Sequence, residues 1–228
     1  GFYDYSEGVE RPLPDTAAMQ IKPIKIEVKG HLGVAEPLID QALRCGIVVE
    51  RNDQDGANVI CLDGVVLALT DGRTATQVSA EERVDEVVLY DLCLDYNDAS
   101  RIALAAADQC SEEFLLKAIG FFQALGKQVS VIDDVPGMVL MRTVCMLANE
   151  GADAVNQQVC DVAAVDLAMQ AGLNYPRGPL AWADALGISR VVAVLDQLSG
   201  NYGEERYRVS PLLRRKSYAA TPFFNANN

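Results

Sequence analysis

Asp134-Val135-Pro136-Gly137-Met138-Val139-Leu140-Met141-Arg142, with Asn149-Glu150-Gly151 beginning seven residues beyond that arginine, is the stretch on which the fold turns. On its N-terminal side, short apolar and β-branched runs alternate with helical patterns. On its C-terminal side, Met138, Met141, Cys145, Ala148, Ala152, Val155 and Val159 recur at spacings of three and four, one stripe along a long helix. A second stripe, Leu140, Val144 and Leu147, makes the first half of that helix apolar nearly all round. A helix over 138–159 of this kind is buried, either centrally in its domain or against another subunit. The nonapeptide thus reads as the junction between an α/β part and an all-α part.

Upstream of the junction, residues 24–28 read as a strand, 34–44 as a helix stopped by Gly46, and 47–50 as a second strand. Val59-Ile60-Cys61-Leu62, residues 65–69 after Asp63-Gly64, and Val87-Val88-Leu89-Tyr90 follow. Runs of this kind suit strands buried on both faces of a parallel sheet. Ser111 is placed to cap a helix whose first turn carries Glu112 and Glu113, where negative charge complements the helix dipole. That helix presents Phe114, Ala118, Phe121 and Leu125, stops at Gly126 and leads into a last strand over 129–132. The order predicts an α/β layer with right-handed crossovers.

Downstream, Asp161 can cap a helix through Val162, Val165 and Met169 that Gly172 stops. Gly178-Pro179 opens another that Gly187 ends, the usual placement of proline inside a helix start and glycine past its end. Helices over 188–198 and 211–218 complete the part.

The 228 residues give a prior of roughly 1.5 domains, and half of them are hydrophobic, enough for a sizeable core. With 19 basic against 32 acidic residues the net charge is -13, which excludes the basic footprint that nucleic acid requires. Cys45, Cys61, Cys93, Cys110, Cys145 and Cys160 lie far apart with no C-x-x-C pair, against a zinc site or disulfide framework and in keeping with a reducing cytosol. No run approaches the ~18 apolar residues of a membrane helix and no signal peptide opens the chain. A soluble, cytoplasmic protein is expected.

Several motifs together resemble the NAD-dependent 3-hydroxyacyl-CoA dehydrogenases. The junction is similar to that family's D-x-P-G-F-x-x-N-R followed by N-E-A. Residues 165–179, from Val165-Asp166 through Ala168-Met169 and Gly172 to Pro176-Arg177-Gly178-Pro179, resemble its I-D-x-A-M-x-x-G-x-x-x-P-x-G-P, and Ala183-Asp184-Ala185-Leu186-Gly187 its x-D-x-x-G. Gly1-Phe2-Tyr3-Asp4-Tyr5 looks like the G-F-Y-D-Y that closes the family's helical domain, so the chain is expected to be a fragment of a longer protein. Three segments follow: a tail and linker over 1–23 with Pro12, Pro14 and Pro23; a shortened, degenerate Rossmann-like α/β domain over 24–134; and a helical C-terminal dehydrogenase domain over 135–228.

The resemblance also shows what is missing. A dinucleotide loop needs G-x-G-x-x-G so that the backbone can turn and approach the pyrophosphate at the helix N-terminus. Between Val28 and Val34 only Gly30 and Gly33 remain, with Pro37 in the first turn beyond and Asp53 near the end of the second strand. The family's general base, a histidine, falls on Leu94 when Asp95-Tyr96-Asn97 is laid on its F-F-N. The glutamate that orients that base falls near residues 105–107, the serine region on Asp71-Gly72-Arg73-Thr74, and the asparagine on Met141. Leucine and methionine transfer no protons, so no catalytic, cofactor-binding or metal-binding residue is expected here.

Other candidates read as structural. His31, the only histidine, is expected to be a solvated loop residue, Arg214-Arg215-Lys216 a solvated helix face, Asp133-Asp134 a turn and cap, and Trp182 core. The resemblance implies the C-terminal part of a long, duplicated bacterial form associated with phenylacetate catabolism, oxidising 3-hydroxyadipyl-CoA or 3-hydroxybutyryl-CoA with NAD in the parent protein. This part would contribute homodimerisation, through the helix over 138–159 whose apolar first half exceeds what one small domain covers, and a share of the acyl-CoA pocket, with no cofactor of its own. The rival expectation is an inert assembly domain without a ligand. The two differ in whether Arg177, Arg206, Arg208 and Arg214 line an acyl-CoA cleft or face solvent. An intact small enzyme of other chemistry is disfavoured by the lack of a histidine pair, a G-x-S-x-G or a P-loop.

Overall fold

The computed structural model describes residues 14–224, so the Gly1-Phe2-Tyr3-Asp4-Tyr5 motif lies outside the described residues. Among the described residues seven strands form one sheet: β1 (Lys25–Lys29), β2 (Val48–Asn52), β3 (Val59–Leu62), β4 (Val65–Leu69), β5 (Val87–Tyr90), β6 (Arg101–Ala106) and β7 (Gln128–Val131), in the spatial order β2-β1-β3-β4-β5-β6-β7. Helices α1 (Pro37–Arg44), α2 (Ala75–Glu82) and α3 (Glu112–Ala124) interleave with them. Beyond the junction come α4 (Leu140–Asn156), α5 (Val162–Leu173), α6 (Pro179–Leu186), α7 (Ile188–Tyr202) and α8 (Pro211–Ala219).

The sheet is mixed, where a parallel one was expected. Pairs β1/β2, β4/β5 and β6/β7 are parallel, each joined across one of the three helices. Pairs β1/β3, β3/β4 and β5/β6 are antiparallel. The cause at β3/β4 is local: Asp63 and Gly64 take φ of 43° and 94°, two consecutive left-handed residues that return a strand beside itself. Burial on both faces holds for β5, all four of whose residues are buried. In β3 and β4, buried residues alternate with half-buried ones, so one face of this part of the sheet is open.

One face carries α1 and α3, whose Leu38, Phe121 and Phe122 pack on Ile26, Ile60, Leu67 and Tyr90. On the other face α2 sets Ala75 and Val78 over Val87, Leu89 and Ala105. Neither α2 nor β6 was legible in the pattern. Helix α2 has a weak apolar stripe and is fixed by caps: Thr74 Oγ1 accepts from Gln77 N, and the Asp134 carboxylate accepts from Ala75 N at 2.7 Å and Thr76 N at 2.8 Å. The sequence of β6, Arg-Ile-Ala-Leu-Ala-Ala, is poor in strand formers and is ordered by a neighbour on each side.

The expected helix over 34–44 is a 3-10 turn, Gly33–Ala35, followed by α1 with Pro37 in its first turn. The helix over 138–159 shortens to α4, because Met138 and Gln158 take φ of 49° and 60°, values no α-helix continues through. Helix α4 is central, packed against α5, α6, α7 and α8. Met141, Val144, Cys145, Ala148 and Ala152 are buried within the chain itself. Asn149 holds this helix to the segment before α8, its Nδ2 donating to Arg208 O at 2.9 Å and its Oδ1 accepting from Ser210 N at 2.8 Å. Asp161 caps α5 through Ala164 N at 2.8 Å, whereas Ser111 stands at the start of α3 without a side-chain cap bond. Trp182 is core, and one apolar core runs through both parts of the chain. Among the described residues no helix is long and apolar enough to cross a membrane.

Candidate functional site

The glycine loop after β1 is the natural place to look for a dinucleotide, and its backbone donors are already taken. Gly30 and Gly33 take φ of 73° and 63°, a conformation suited to glycine. His31 N donates to Asn58 Oδ1 at 2.9 Å, Leu32 N to Glu36 Oε1 at 2.8 Å, and Gly33 N to His31 Nδ1 at 3.0 Å. The loop after β2 closes over Gly30, where an added Cβ would lie 2.4 Å from Asp55 O. A pyrophosphate needs those amides free and that approach open. The residues present do not fit one.

Glu36 is the centre of this arrangement. Arg51 grips its carboxylate with two nitrogens at 3.0 and 3.1 Å and also pairs with Asp53, the acidic residue near the end of β2. Burial pushes the Glu36 carboxyl up, but the Arg51 hydrogen bonds, the Leu32 amide and the nearby charges of Arg51 and His31 outweigh it, and the net shift is downward. The loop thus holds its own anion where a ligand's would lie. His31 itself has a side chain 72 % exposed, 3.2 Å from Glu36.

The positions laid on the dehydrogenase catalytic groups do not converge on a reactive centre. Leu94 lines a cavity of about 200 Å³ with Cys93, Tyr96, Val144, Arg177 and Trp182. Met141 is fully buried with Sδ 3.9 Å from Cys145 Sγ. Ala105 and Ala107 lie in the separate cluster under α2. Asp71 is held by Arg73, Gly72 approaches the backbone of α7 at Val194, and Thr74 is the α2 cap. Burial pushes the Cys93 thiol up to about 11, away from a thiolate. Lys127, buried, spends its ammonium on Tyr96 O at 2.6 Å and Ala99 O at 2.9 Å, pinning the loop that carries Leu94. Among the described residues no group of three or more His, Cys, Asp or Glu could hold a metal ion.

The four arginines do not form a common cleft. Arg206 pairs with Glu204, Arg208 with Asp153 at 2.8 Å, and Arg214 with Asp196 through two contacts of 2.6 Å. Arg177 borders the cavity that Leu94 lines and a second recess with Phe224. Lys216 caps the carbonyl of Pro222 at 2.6 Å. Sequence reasoning missed Glu36 and Asn58. The available signal was a glutamate four residues beyond Leu32, within reach of its amide.

Comparison with known proteins bears directly on these positions. The "3-hydroxybutyryl-CoA dehydrogenase reduced Rossmann-fold domain" matches residues 67–136, and the "3-hydroxyacyl-CoA dehydrogenase, C-terminal domain" matches residues 137–221. The chain is 39 % identical to a 3-hydroxyadipyl-CoA dehydrogenase of Escherichia coli (strain K12) over 68 % of its own length and 32 % of that protein's. It is 34 % identical to a probable 3-hydroxybutyryl-CoA dehydrogenase of Bacillus subtilis (strain 168) over 46 % of its length and 37 % of that protein's. A solved 3-hydroxybutyryl-CoA dehydrogenase of Escherichia coli K12 superposes with a TM-score of 0.68 at 37 % identity, covering 73 % of this chain and 34 % of the other. The chain spans about a third of the length of the curated relatives it matches.

Proposed function

Because the chain belongs to the 3-hydroxyacyl-CoA dehydrogenase family, we propose that it forms the C-terminal part of a longer NAD-dependent enzyme that oxidises a 3-hydroxyacyl-CoA to the 3-oxoacyl-CoA. In such a reaction the carbon bearing the 3-hydroxyl gives hydride to NAD and the hydroxyl proton goes to a base. The residues of this chain carry neither step. The observation behind that division is the glycine loop, whose amides are held by Glu36, Asn58 and His31, together with Leu94 where a base would stand. The name of the Escherichia coli relative supports 3-hydroxyadipyl-CoA, and that of the Bacillus subtilis relative 3-hydroxybutyryl-CoA, as the parent's substrate.

The chain's own contribution is structural, including a homodimer. The first stripe of α4 is buried in its own domain while Leu140 and Leu147 of the second stay half-buried, and a further apolar face lies on α5, where Leu167 and Leu173 are 66 % and 58 % exposed and Val159 just before it is 73 % exposed. A share in acyl-CoA binding is supported by Arg177 alone. The engagement of Arg206, Arg208 and Arg214 by acids of the same chain favours the second reading, an assembly domain with no acyl-CoA contact. Titrating the chain with NADH, followed by fluorescence and by turnover with acetoacetyl-CoA, tests the division of labour. No saturable binding and no turnover are expected, and micromolar NADH affinity would overturn it.

A further inference from the structure

Helices cover one face of the sheet through α1 and α3 and only part of the other through α2, and the difference leaves a cleft of about 670 Å³. Its floor is apolar: Val59 and Cys61 of β3 and Val66 and Ala68 of β4, the half-buried members of their alternating strands. The loop over 55–58, α2 and the start of α7 form the walls. This volume lies within the roughly 300–1,000 Å³ of small-molecule sites, which are mostly apolar with a few placed polar groups.

The polar group placed here is Arg190. It borders the cleft beside the glycine loop, a guanidinium nitrogen 3.6 Å from where a Cβ on Gly33 would lie. Among the described residues Arg190 hydrogen-bonds through its backbone alone, its N donating to Gly187 O at 2.9 Å, and its guanidinium is left for a ligand. Lys29 lines the same cleft, with only a 3.9 Å contact to Glu27. The remaining charges are satisfied: Arg73 holds Asp71, Glu81 and Glu82, and Asp55 accepts from Ala57 N at 2.9 Å. A half-buried cation without a partner gives up hydration for nothing until an anion arrives, and guanidinium matches a carboxylate through two parallel hydrogen bonds.

We propose that this cleft binds an amphipathic carboxylate, its apolar chain on Val59, Cys61, Val66 and Ala68 and its carboxylate on Arg190 with Lys29 nearby. The site goes beyond the dehydrogenase reading and stands without it, since neither NAD nor coenzyme A enters. Calorimetric titration of the 228-residue chain with octanoate should give saturable binding at one site per chain. Octan-1-ol, the same chain without the charge, should bind at least about tenfold more weakly, as should octanoate to Arg190→Gln. Arg190→Lys should recover most of the affinity, and Ala68→Phe, which fills the floor, should abolish it. If Ala68→Phe does not fold, Arg190→Gln on the half-exposed face of α7 decides. No saturable octanoate binding, equal binding of octanol, or an unaltered Arg190→Gln would each overturn the proposal.

Discussion

Asp91, at the end of the sheet, holds the backbone of Met141, the first-turn residue of α4, with Oδ1 3.0 Å from the Met141 amide nitrogen. The same carboxylate accepts from Val139 N at 3.0 Å and Leu140 N at 2.7 Å, and from its neighbour Leu92 N at 2.8 Å. Asp91 is 3 % exposed. Four amides converge on one buried carboxylate, which satisfies helix donors that have no partner within α4. The α/β part and the helical part are joined by that cap.

Asp91→Ala should therefore destabilise the chain by about 3 kcal/mol, because it strands several buried amides at once. Asp91→Asn should cost less, about 1–2 kcal/mol, since one oxygen remains. Urea unfolding followed by circular dichroism measures both. An Ala variant as stable as the parent would mean that water replaces the carboxylate without loss.

Glu36 gives a pH signature. Its carboxyl lies below the ordinary 4.5 in the folded chain, so its contribution is full above that value and is lost as pH falls through the folded pKa. Glu36→Gln removes that component. Comparing urea midpoints of the two proteins between about pH 7 and pH 3 should show a shallower acid decline for the variant. Identical profiles would remove the charged carboxylate from the account of the loop.

Gly178 is required by close approach, not by backbone angle. An added Cβ would lie 2.0 Å from Asp166 Cγ, and Asp166 caps α6 through Leu180 N and Ala181 N, both at 2.9 Å. Gly178→Ala should cost at least about 2 kcal/mol. In Asp166→Gly, which removes both Cγ and the Cβ that would lie 2.2 Å away, the same glycine substitution should cost much less, a coupling that a double-mutant cycle reads directly. Additive effects would show that the two residues do not meet.

The buried thiols should be inert. Burial pushes Cys145 up to about 12, which leaves about one part in ten thousand as thiolate at pH 8. With Cys93 at about 11, both should react with a disulfide reagent only as fast as the chain unfolds. Mass spectrometry after brief labelling distinguishes this from direct attack, which would appear as modification of Cys145 in folded protein.

The homodimer proposal is tested at the exposed apolar face of α5. Met141 is 0 % exposed, so Met141→Asp should unfold the helical part whatever the oligomeric state. Leu167→Asp, on the open face of α5, should leave the fold intact and halve the mass seen by light scattering from about twice 24.6 kDa. A monomeric parent chain would end the proposal.

The helices after Pro136 and most strands were legible because periodicity and end signals are local. Gly178-Pro179, Asp161 and Gly126 act within a turn of where they stand. Antiparallel return at Asp63-Gly64 was equally local and could have been read from the Asp-Gly pair itself. Strand β6 was not legible, since its alanines acquire strand geometry from their neighbours.

By itself the sequence determined the two-part order of the chain, its kinship motifs and the lack of a proton-transferring group at Leu94 and Met141, because side-chain identity excludes chemistry wherever the residue is placed. Tertiary structure alone decided that the first stripe of α4 is buried in its own domain, that Glu36 and Asn58 fill the loop where a dinucleotide would bind, and that Asp91 ties sheet to helix. Each of these joins groups that no periodic pattern links: 22 residues separate Glu36 from Asn58, and 50 separate Asp91 from Met141. The open floor beneath Arg190 has the same origin, since a face is left bare only when the whole sheet has formed and the helices over it have been assigned.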